Sequence, residues 1–285
     1  MTAAGRLRWR RTTNVVMLGA TGVCAAAIAS VLLFILGYLF VNGASSLNLA
    51  FFTELPKPVG EAGGGMANAI VGSAKILGLA LVFGVPVGFL GGVYLAEYAS
   101  GSAAFVVRYV TDLLNGVPSI VIGIFAYSLL VLKAKHFSAL AGGVALGIMM
   151  IPISVRSTEE FLRAVPRGLR EAALALGAPK WKVLVTVVVP AARDGIVTGI
   201  MLNLARVAGE TAPLLFTAFG NRFWSDGLDQ PTASLPVMIY TYAIAPYDDW
   251  HRQAWAAGFV LLMLVLVMNV AAKLLLARSP MRGAR

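Results

Sequence analysis

The stretch from Glu171 to Pro190, EAALALGAPKWKVLVTVVVP, lies between two hydrophobic blocks and decides the fold. Its first part consists of good helix formers, and Gly177 suits the left-handed residue that follows a helix end. Pro179 can begin a second helix, which we expect to run through Trp181 until Pro190 breaks or kinks it. The stretch therefore predicts a helix, an elbow and a second helix.

The composition places this elbow in a membrane protein. The chain is 59% hydrophobic and 13% charged, and its mean hydropathy is +0.81, which lies outside the range of an ordinary soluble domain. A bilayer span needs about 20 mostly apolar residues. Six blocks qualify, although the fourth is short and Pro118 interrupts the third: 15–41, 69–94, 113–132, 139–155, 195–219 and 255–276. The sequence predicts an all-α membrane protein with six transmembrane helices.

The basic residues are distributed unevenly around these six blocks. With the N-terminus inside, 16 of the 23 Lys and Arg residues fall in cytoplasmic segments. Because cytoplasmic loops carry an excess of Lys and Arg, this bias predicts that both termini and the 171–190 elbow lie in the cytoplasm. It also explains the net charge of +10 without a nucleic-acid partner.

The spans divide the chain into consecutive parts. We expect a cytoplasmic basic tail at 1–14, a first transmembrane helix at 15–41, an external linker at 42–65, a core at 66–277 with a cytoplasmic loop at 156–194, and a cytoplasmic tail at 278–285. The first apolar run is too long for the apolar region of a signal peptide. Glycines four residues apart predict close helix packing in lipid at four pairs: Gly84/Gly88, Gly88/Gly92, Gly143/Gly147 and Gly195/Gly199.

Two polar clusters lie within the predicted spans. Asn115 and Ser119 are four residues apart on either side of Pro118, and Arg206 and Glu210 have the same spacing in the fifth span. Arg206 lies roughly 16 Å along a helix that begins at 195, near the bilayer midplane, where an isolated charge costs about 2.5 to 3.5 kcal/mol. We expect Arg206 and Glu210 to pair on one helix face. Asn115 and Ser119 either line a translocation pathway or satisfy the backbone groups left free by Pro118. Arg206 and Glu210 either line the pathway or lock helices together.

Local predictions also concern the cytoplasmic loop. Ser157 or Thr158 is expected to cap a cytoplasmic helix, with Glu159 and Glu160 in its first turn. Three cations of this region suit an acidic rim on an ATPase partner, although solvated positive-inside charge explains them equally well: Arg163, Arg167 and Arg170.

Two predictions concern the opposite side of the membrane. Ser234 to Ala245 is expected to form a short helix at the membrane surface, where it either meets an external binding protein or serves as an interfacial anchor. Lys75 is expected near the outer end of the second span, where its side chain can snorkel.

Three segments resemble those of one transporter family. The elbow resembles the coupling loop of permeases in binding-protein-dependent ABC importers. The shared spacing is Glu-Ala-Ala, three residues, Gly, nine residues, an aliphatic, one residue, an aliphatic and Pro. Val187 and Val189 stand where the family usually has Ile and Leu. The segments LLNGVPSIVIGIFAY (113–127) and RVAGETAPLLFTAFG (206–220) resemble the phosphate branch of these importers, and the resemblance runs from 66 to about 277.

The resemblance implies a type I ABC importer permease (MetI-like) fold and a role in ATP-driven import of inorganic phosphate across a prokaryotic inner membrane. The implied partners are a second related permease, two copies of an ABC ATPase and an external phosphate-binding protein. It implies that the elbow docks in an ATPase groove through Glu171, Ala172, Ala173, Gly177 and Pro190. It also implies that the translocation pathway passes Arg206 and Glu210, and we place Thr211, Asn115 and Ser119 beside them.

The sequence contains no GxxxxGK[ST], HExxH or GxSxG signature, so ATP and Mg²⁺ are expected on a partner and no cofactor on this chain. One cysteine, Cys24, and two histidines, His136 and His251, without metal-ligand spacing predict no metal site. The alternatives are a permease for sulfate, molybdate or another small solute, and an anion transporter driven by an ion gradient. The elbow disfavours the latter, which needs no ATPase docking site.

Overall fold

The computed structural model describes residues 3–61 and 63–277, so the predicted tail at 278–285 lies outside the described part of the chain. Helices account for all the regular secondary structure in these residues. They are α1 (Ala3–Ser45), α2 (Leu49–Thr53), α3 (Ala67–Val93), α4 (Gly101–Gly116), α5 (Ser119–Ala126), α6 (Leu132–Ala134), α7 (Ala139–Ala164), α8 (Arg167–Ala175), α9 (Lys180–Val183), α10 (Val189–Ala208), α11 (Ala212–Thr217), α12 (Leu235–Ala243) and α13 (Asp248–Ala277). Single π-helical stretches, Tyr94–Tyr98, Tyr127–Val131 and Leu184–Val188, continue α3, join α5 to α6 and join α9 to α10.

Five continuous helical segments in the described residues are long and apolar enough to cross a bilayer. They are Trp9–Ser45, Ala67–Tyr98, Ala139–Ala164, Lys180–Ala208 and Asp248–Leu274. A sixth span exists only if Gly101–Gly116 and Ser119–Ala134, which meet at 100°, are counted together. The prediction of an all-α membrane protein is confirmed, and its predicted third span is present only as this sharply bent pair.

The predicted third span, 113–132, is therefore not one helix. Val117 and Pro118 both adopt extended backbone, with ψ of 129° and 136°, and the chain turns between α4 and α5. A proline disfavours the helical conformation of the residue before it, so Val117 leaves the helix. Pro118 separates two helices here instead of kinking one.

The predicted boundaries of the fifth span are also wrong. The long helical segment begins at Lys180 and ends at Ala208, so it includes the elbow's second helix. Pro190 does not end this helix: it lies in the first turn of α10, directly after the π-helical turn. Because that wider turn precedes Pro190, the missing N–H group is accommodated within a continuous segment.

Glycines bring α3 and α7 into close contact at the centre of the molecule. A Cβ atom added at Gly84 would lie 2.8 Å from the Gly147 carbonyl oxygen. At Gly88 it would lie 2.4 Å from the Ser154 Cβ, and at Gly92 2.5 Å from the Thr158 Cβ. These distances confirm the close packing that the glycine spacing predicted, because no larger residue fits without moving the neighbouring helix.

The two ends of the bundle are packed differently. At one end, α12 is buried among α2, α3 and α13, and Leu235 is fully enclosed. The helix predicted over Ser234–Ala245 exists as Leu235–Ala243, and its first half packs into the bundle while Tyr240 in its second half is 49% exposed. Near it, the Lys75 ammonium group donates to the Ser225 carbonyl oxygen, so this cation is held by a loop. The elbow lies at the other end.

We predict that Gly88→Val destabilises the protein, because its side chain would overlap Ser154 on α7. Overpacking of this kind costs about 1 to 3 kcal/mol. The measurement is the thermal unfolding midpoint and the yield of monodisperse protein in detergent.

Gly78→Val is the matched control, because it makes the same change on α3 where nothing lies within 4 Å of the added Cβ. Equal midpoints for the two variants would contradict the proposed role of this contact.

Candidate functional site

The 171–190 elbow is built from two short helices and a glycine. Helix α8 ends at Ala175, and Gly177 has a φ of 78°, a left-handed conformation that favours glycine. Lys180 begins the second helix immediately after Pro179. The predicted helix, elbow and helix are confirmed, and the glycine reverses the chain because it has no Cβ atom to clash.

One acidic residue at the end of the π-helical continuation of α3 holds the elbow. The Arg170 guanidinium pairs with the Glu97 carboxylate and also donates to the Leu162 carbonyl oxygen. The Lys180 ammonium donates to the Glu97 carbonyl oxygen and lies 4.7 Å from the centre of the Tyr98 ring. Glu97 therefore fixes both helices of the elbow to the bundle.

Contacts within the chain involve two of the three arginines that were predicted to suit either an acidic rim on a partner or solvent. Arg170 is turned inward to Glu97, and Arg163 pairs with Glu159 at 3.1 Å and donates to the Leu95 carbonyl oxygen. Only Arg167 of the three keeps an exposed side chain with no such partner in the described residues.

The outer face of the elbow is exposed and largely apolar. Leu176 is 89% exposed and Trp181 is 63% exposed, and Glu171 and Ala172 also lie on the surface. Ala173 is half-buried against the cluster that contains Val183 and Leu184. Large exposed apolar side chains next to small residues are typical of a protein-binding surface. Pro190 is half-buried in α10, away from this face.

A buried carboxylate lies between α4 and α7. The side chain of Glu159 is only 4% exposed, and its Oε1 accepts from Arg108 Nε at 2.8 Å. Its second oxygen has no hydrogen-bond partner among the described residues. One turn away, Arg156 makes a bidentate pair with Asp112, at 2.6 Å to each carboxylate oxygen. Two ionic contacts thus join α4 to α7.

The position of Glu159 contradicts the predicted helix start at Ser157 or Thr158. Helix α7 continues through these residues to Ala164 without interruption. Arg108 and Arg163 supply the positive charge that the sequence interpretation assigned to a helix N-terminus.

A recess brings together two of the predicted pathway residues. Asn115, from the last turn of α4, and Arg206, from the last turn of α10, line the same recess with Pro152 near the middle of α7. Ser119, Glu210 and Thr211 do not line it. Both Asn115 and Arg206 are exposed in the isolated chain, so their polar groups remain available to a ligand or a partner.

The predicted pair of Arg206 and Glu210 does not form. Helix α10 ends at Ala208, and the Glu210 N–H donates to the Val207 carbonyl oxygen in a tighter turn. Pro213 lies in the first turn of α11 and cannot continue the ladder from α10. Glu210 therefore lies outside the helix, and neither side chain makes an ion pair or hydrogen bond within the described residues.

Sequence reasoning missed Glu97, Arg108 and Asn203 as structural polar groups. Glu97 is the one acidic residue near the end of a long apolar run, which was an available signal. Asn203 is buried and donates to the Met150 carbonyl oxygen at 2.8 Å and to Ser154 at 3.1 Å. Its partners are about 50 residues away in the sequence, so only the tertiary structure could reveal them.

Comparison with known proteins agrees with this architecture. Residues 88–279 match the family described as the binding-protein-dependent transport system inner membrane component. The chain belongs to this family. It is thus a multi-pass inner membrane permease, and its apolar helices agree with that location.

Curated relatives of this permease cover nearly its whole length. It is 44% identical over 272 residues to the phosphate transport system permease protein PstA of Yersinia pestis, covering 95% of this chain and 92% of the relative. It is 47% identical over 243 residues to the protein of the same name from Xylella fastidiosa, with 85% and 84% covered.

Solved transporter structures share the fold of the permease. A chain of the inward-facing MetNI methionine ABC transporter superposes with a TM-score of 0.60 at 20% identity, covering 74% of this permease and 95% of that chain. A chain of a bacterial ABC transporter involved in the import of the acidic polysaccharide alginate gives 0.66 at 14% identity, with 96% and 99% covered. At these identities the likeness shows the fold alone, and the predicted type I importer fold is confirmed.

We predict that Glu159→Gln lowers the thermal unfolding midpoint, because it removes the negative charge shared by Arg108 and Arg163. Because Arg108 and Arg163 are partly exposed and can be solvated, the loss is that of a charge-assisted hydrogen bond, about 1.5 to 3 kcal/mol. The measurement is thermal unfolding of the purified permease.

Glu160→Gln provides the control, since it is the same substitution at the adjacent exposed residue, where a change within about 0.5 kcal/mol is expected. If the two variants unfold at the same temperature, the ionic contact does not stabilise the α4 and α7 pair.

Proposed function

We propose that this permease is the transmembrane subunit of an ATP-driven importer of inorganic phosphate. The observation that carries the proposal is the 44% identity over 95% of the chain to a protein named as a phosphate transport system permease. Other relatives with that name are 42% to 47% identical. No comparison favours sulfate, molybdate or a carrier driven by an ion gradient.

The exposed elbow is the proposed docking site for a separate ATPase. Its face contains Glu171, Ala172, Leu176 and Trp181, and the small side chain at 172 permits close approach of another backbone. The ion pair between Arg170 and Glu97 supports this role, because it fixes the elbow to the end of α3. A movement imposed on the elbow then reaches the α3 and α7 pair directly. ATP and Mg²⁺ belong to that partner, since this chain has no phosphate-binding loop.

A second, related permease would complete the pathway. Helices α4 and α5 expose large apolar side chains, including Phe105, Leu113 and Phe125, on either side of the break at Val117 and Pro118. Apolar side chains exposed on a membrane-spanning pair face either lipid or another protein, and the polar Asn115 among them favours a protein contact. The recess with Arg206 is open in one chain, so each permease would form half of the passage. An external phosphate-binding protein would meet the opposite end of the bundle.

The oxyanion itself suggests roles for Arg206 and Glu210. Arg206 offers a planar fork of N–H donors that can bind two phosphate oxygens. Glu210 is half-buried two residues beyond the end of α10, and its ionised carboxylate can accept the hydrogen that phosphate carries at neutral pH. Sulfate has no such hydrogen, so the carboxylate would repel it. Because the two side chains do not pair, both are available to the anion.

The whole proposal predicts ATP-dependent phosphate uptake by vesicles that contain the reconstituted complex. Uptake should stop when ATP or the ATPase is omitted, and a large excess of sulfate should not inhibit it. The initial rate of phosphate accumulation is the measurement. Strong inhibition by sulfate would favour a different substrate, and undiminished uptake without the ATPase would exclude an ABC importer.

The docking role predicts that Ala172→Arg reduces the amount of ATPase that co-purifies with the permease by roughly tenfold, because a bulky charge would be buried in the contact. Ala134→Arg is the matched control, since Ala134 is exposed near the end of the bundle opposite the elbow. If both variants retain the ATPase equally, the docking face lies elsewhere.

The anion chemistry predicts that Arg206→Gln lowers the uptake rate by roughly tenfold or more, through loss of a charge-assisted hydrogen bond. Glu210→Gln, with Arg206 intact, should lower phosphate uptake and reduce discrimination against sulfate. Both rates are measured in complexes shown to retain the ATPase. Unchanged phosphate uptake by Glu210→Gln would remove Glu210 from any essential role.

A further inference from the structure

A groove of about 350 Å³ lies between α10 and α13. Its walls include Met201 and Leu202 from α10, and Val265 and Leu266 from α13. Leu202 and Leu266 are exposed, so the groove opens to the outside of the bundle. Both helices belong to segments that are able to span a bilayer, so the groove faces lipid or a partner in the membrane.

The polar side chains within the groove are satisfied inside their own helices. The Thr198 hydroxyl donates to the Asp194 carbonyl oxygen at 2.7 Å. The Asn269 amide donates to the Val265 carbonyl oxygen at 2.9 Å. These side chains therefore need no hydrogen-bond partner from a molecule bound in the groove. The groove offers a largely apolar surface along its length.

A cation lies at one end of this apolar surface. Lys273 lines the groove, is exposed, and makes no ion pair or hydrogen bond within the described residues. Arg193 lies one helical turn before Val197, another lining residue, and the exposed Asp194 lies beside it. This is the elbow end of the bundle, because α10 continues directly from the elbow.

The length of the groove matches one leaflet of a bilayer. From Leu262 to Lys273 the lining follows α13 for roughly 16 Å at about 1.5 Å per residue. Half of a hydrocarbon core of about 30 Å is about 15 Å. An acyl chain whose head group lies at Lys273 would therefore reach the bilayer centre at the other end of the groove.

We propose that the groove binds an anionic phospholipid of the leaflet on the elbow side. One acyl chain lies along the apolar walls, and the head-group phosphate pairs with the Lys273 ammonium. Basic pockets between transmembrane helices are suited to anionic lipid head groups. An acyl chain fits better than a partner's helix, because a helix is about 10 to 12 Å wide with its side chains and α10 already packs against α13.

The test is native mass spectrometry of the full chain in its purified transport complex, after exchange into vesicles of phosphatidylglycerol or of phosphatidylethanolamine. We expect preferential retention of phosphatidylglycerol. Lys273→Gln should reduce that retention by about fivefold, the factor for one basic residue at an anionic surface. It should reduce retention of phosphatidylethanolamine less, because that lipid also has a phosphate but carries no net charge. Ala272→Trp should reduce retention of both lipids, because its ring would fill the groove.

Lys133→Gln is the control, since it removes one exposed cation near the opposite end of the bundle and should leave retention unchanged. Three results would overturn the proposal. The first is equal retention by Lys273→Gln and Lys133→Gln, and the second is equal retention of the two lipids by the unaltered chain. The third is efficient disulfide formation between Leu266→Cys and a cysteine in a transmembrane helix of the partner permease, since a helix would then occupy the groove.

Discussion

The contact between α3 and α7 depends on glycines that let two backbones approach more closely than any side chain would permit. The elbow, α4 and the recess that contains Arg206 are all attached to this pair. Glu97, just past the end of α3, holds the elbow. Glu159 on α7 holds α4 through Arg108. The recess that contains Arg206 is lined by Pro152 of the same helix. Since lipid supplies little hydrophobic drive for helix association, such van der Waals contact is a main source of cohesion in the bundle.

Three prolines have different consequences in this structure, although each removes one backbone donor. Pro118 separates α4 from α5 at 100° because Val117 also becomes extended. Pro190 is accommodated after a π-helical turn, and Pro213 begins a new helix after α10 has ended. The neighbouring turns and packing therefore determine whether a proline breaks a helix, is accommodated within it or begins a new one. The recess and the exposed elbow both depend on these outcomes.

The arginines near the elbow contribute to an excess of positive charge, and in the structure two of them form specific ion pairs. Their abundance indicated a cytoplasmic face, and that statistical rule assigns no partner to any one residue. In the structure, Arg170 pairs with Glu97 and Arg163 pairs with Glu159, so much of the positive charge stabilises the permease itself. The exposed face of the elbow retains large apolar side chains, with Leu176 and Trp181 at its most exposed positions. In the proposed complex, an ATPase would dock on this face through shape and apolar contact, which the small side chain of Ala172 permits.

The sequence by itself determined the helical class, most of the spans, the elbow and the close-packed glycine faces, because hydropathy, glycine spacing and turn chemistry are local properties. It also identified Asn115 and Arg206, which share one recess, because polar residues in apolar runs are conspicuous. The tertiary structure decided that Arg206 and Glu210 remain apart, that Glu159 is an interior counter-ion and that Glu97 holds the elbow. Those outcomes depend on which distant residues come within hydrogen-bonding distance after the helices pack, and neither spacing nor composition encodes that distance.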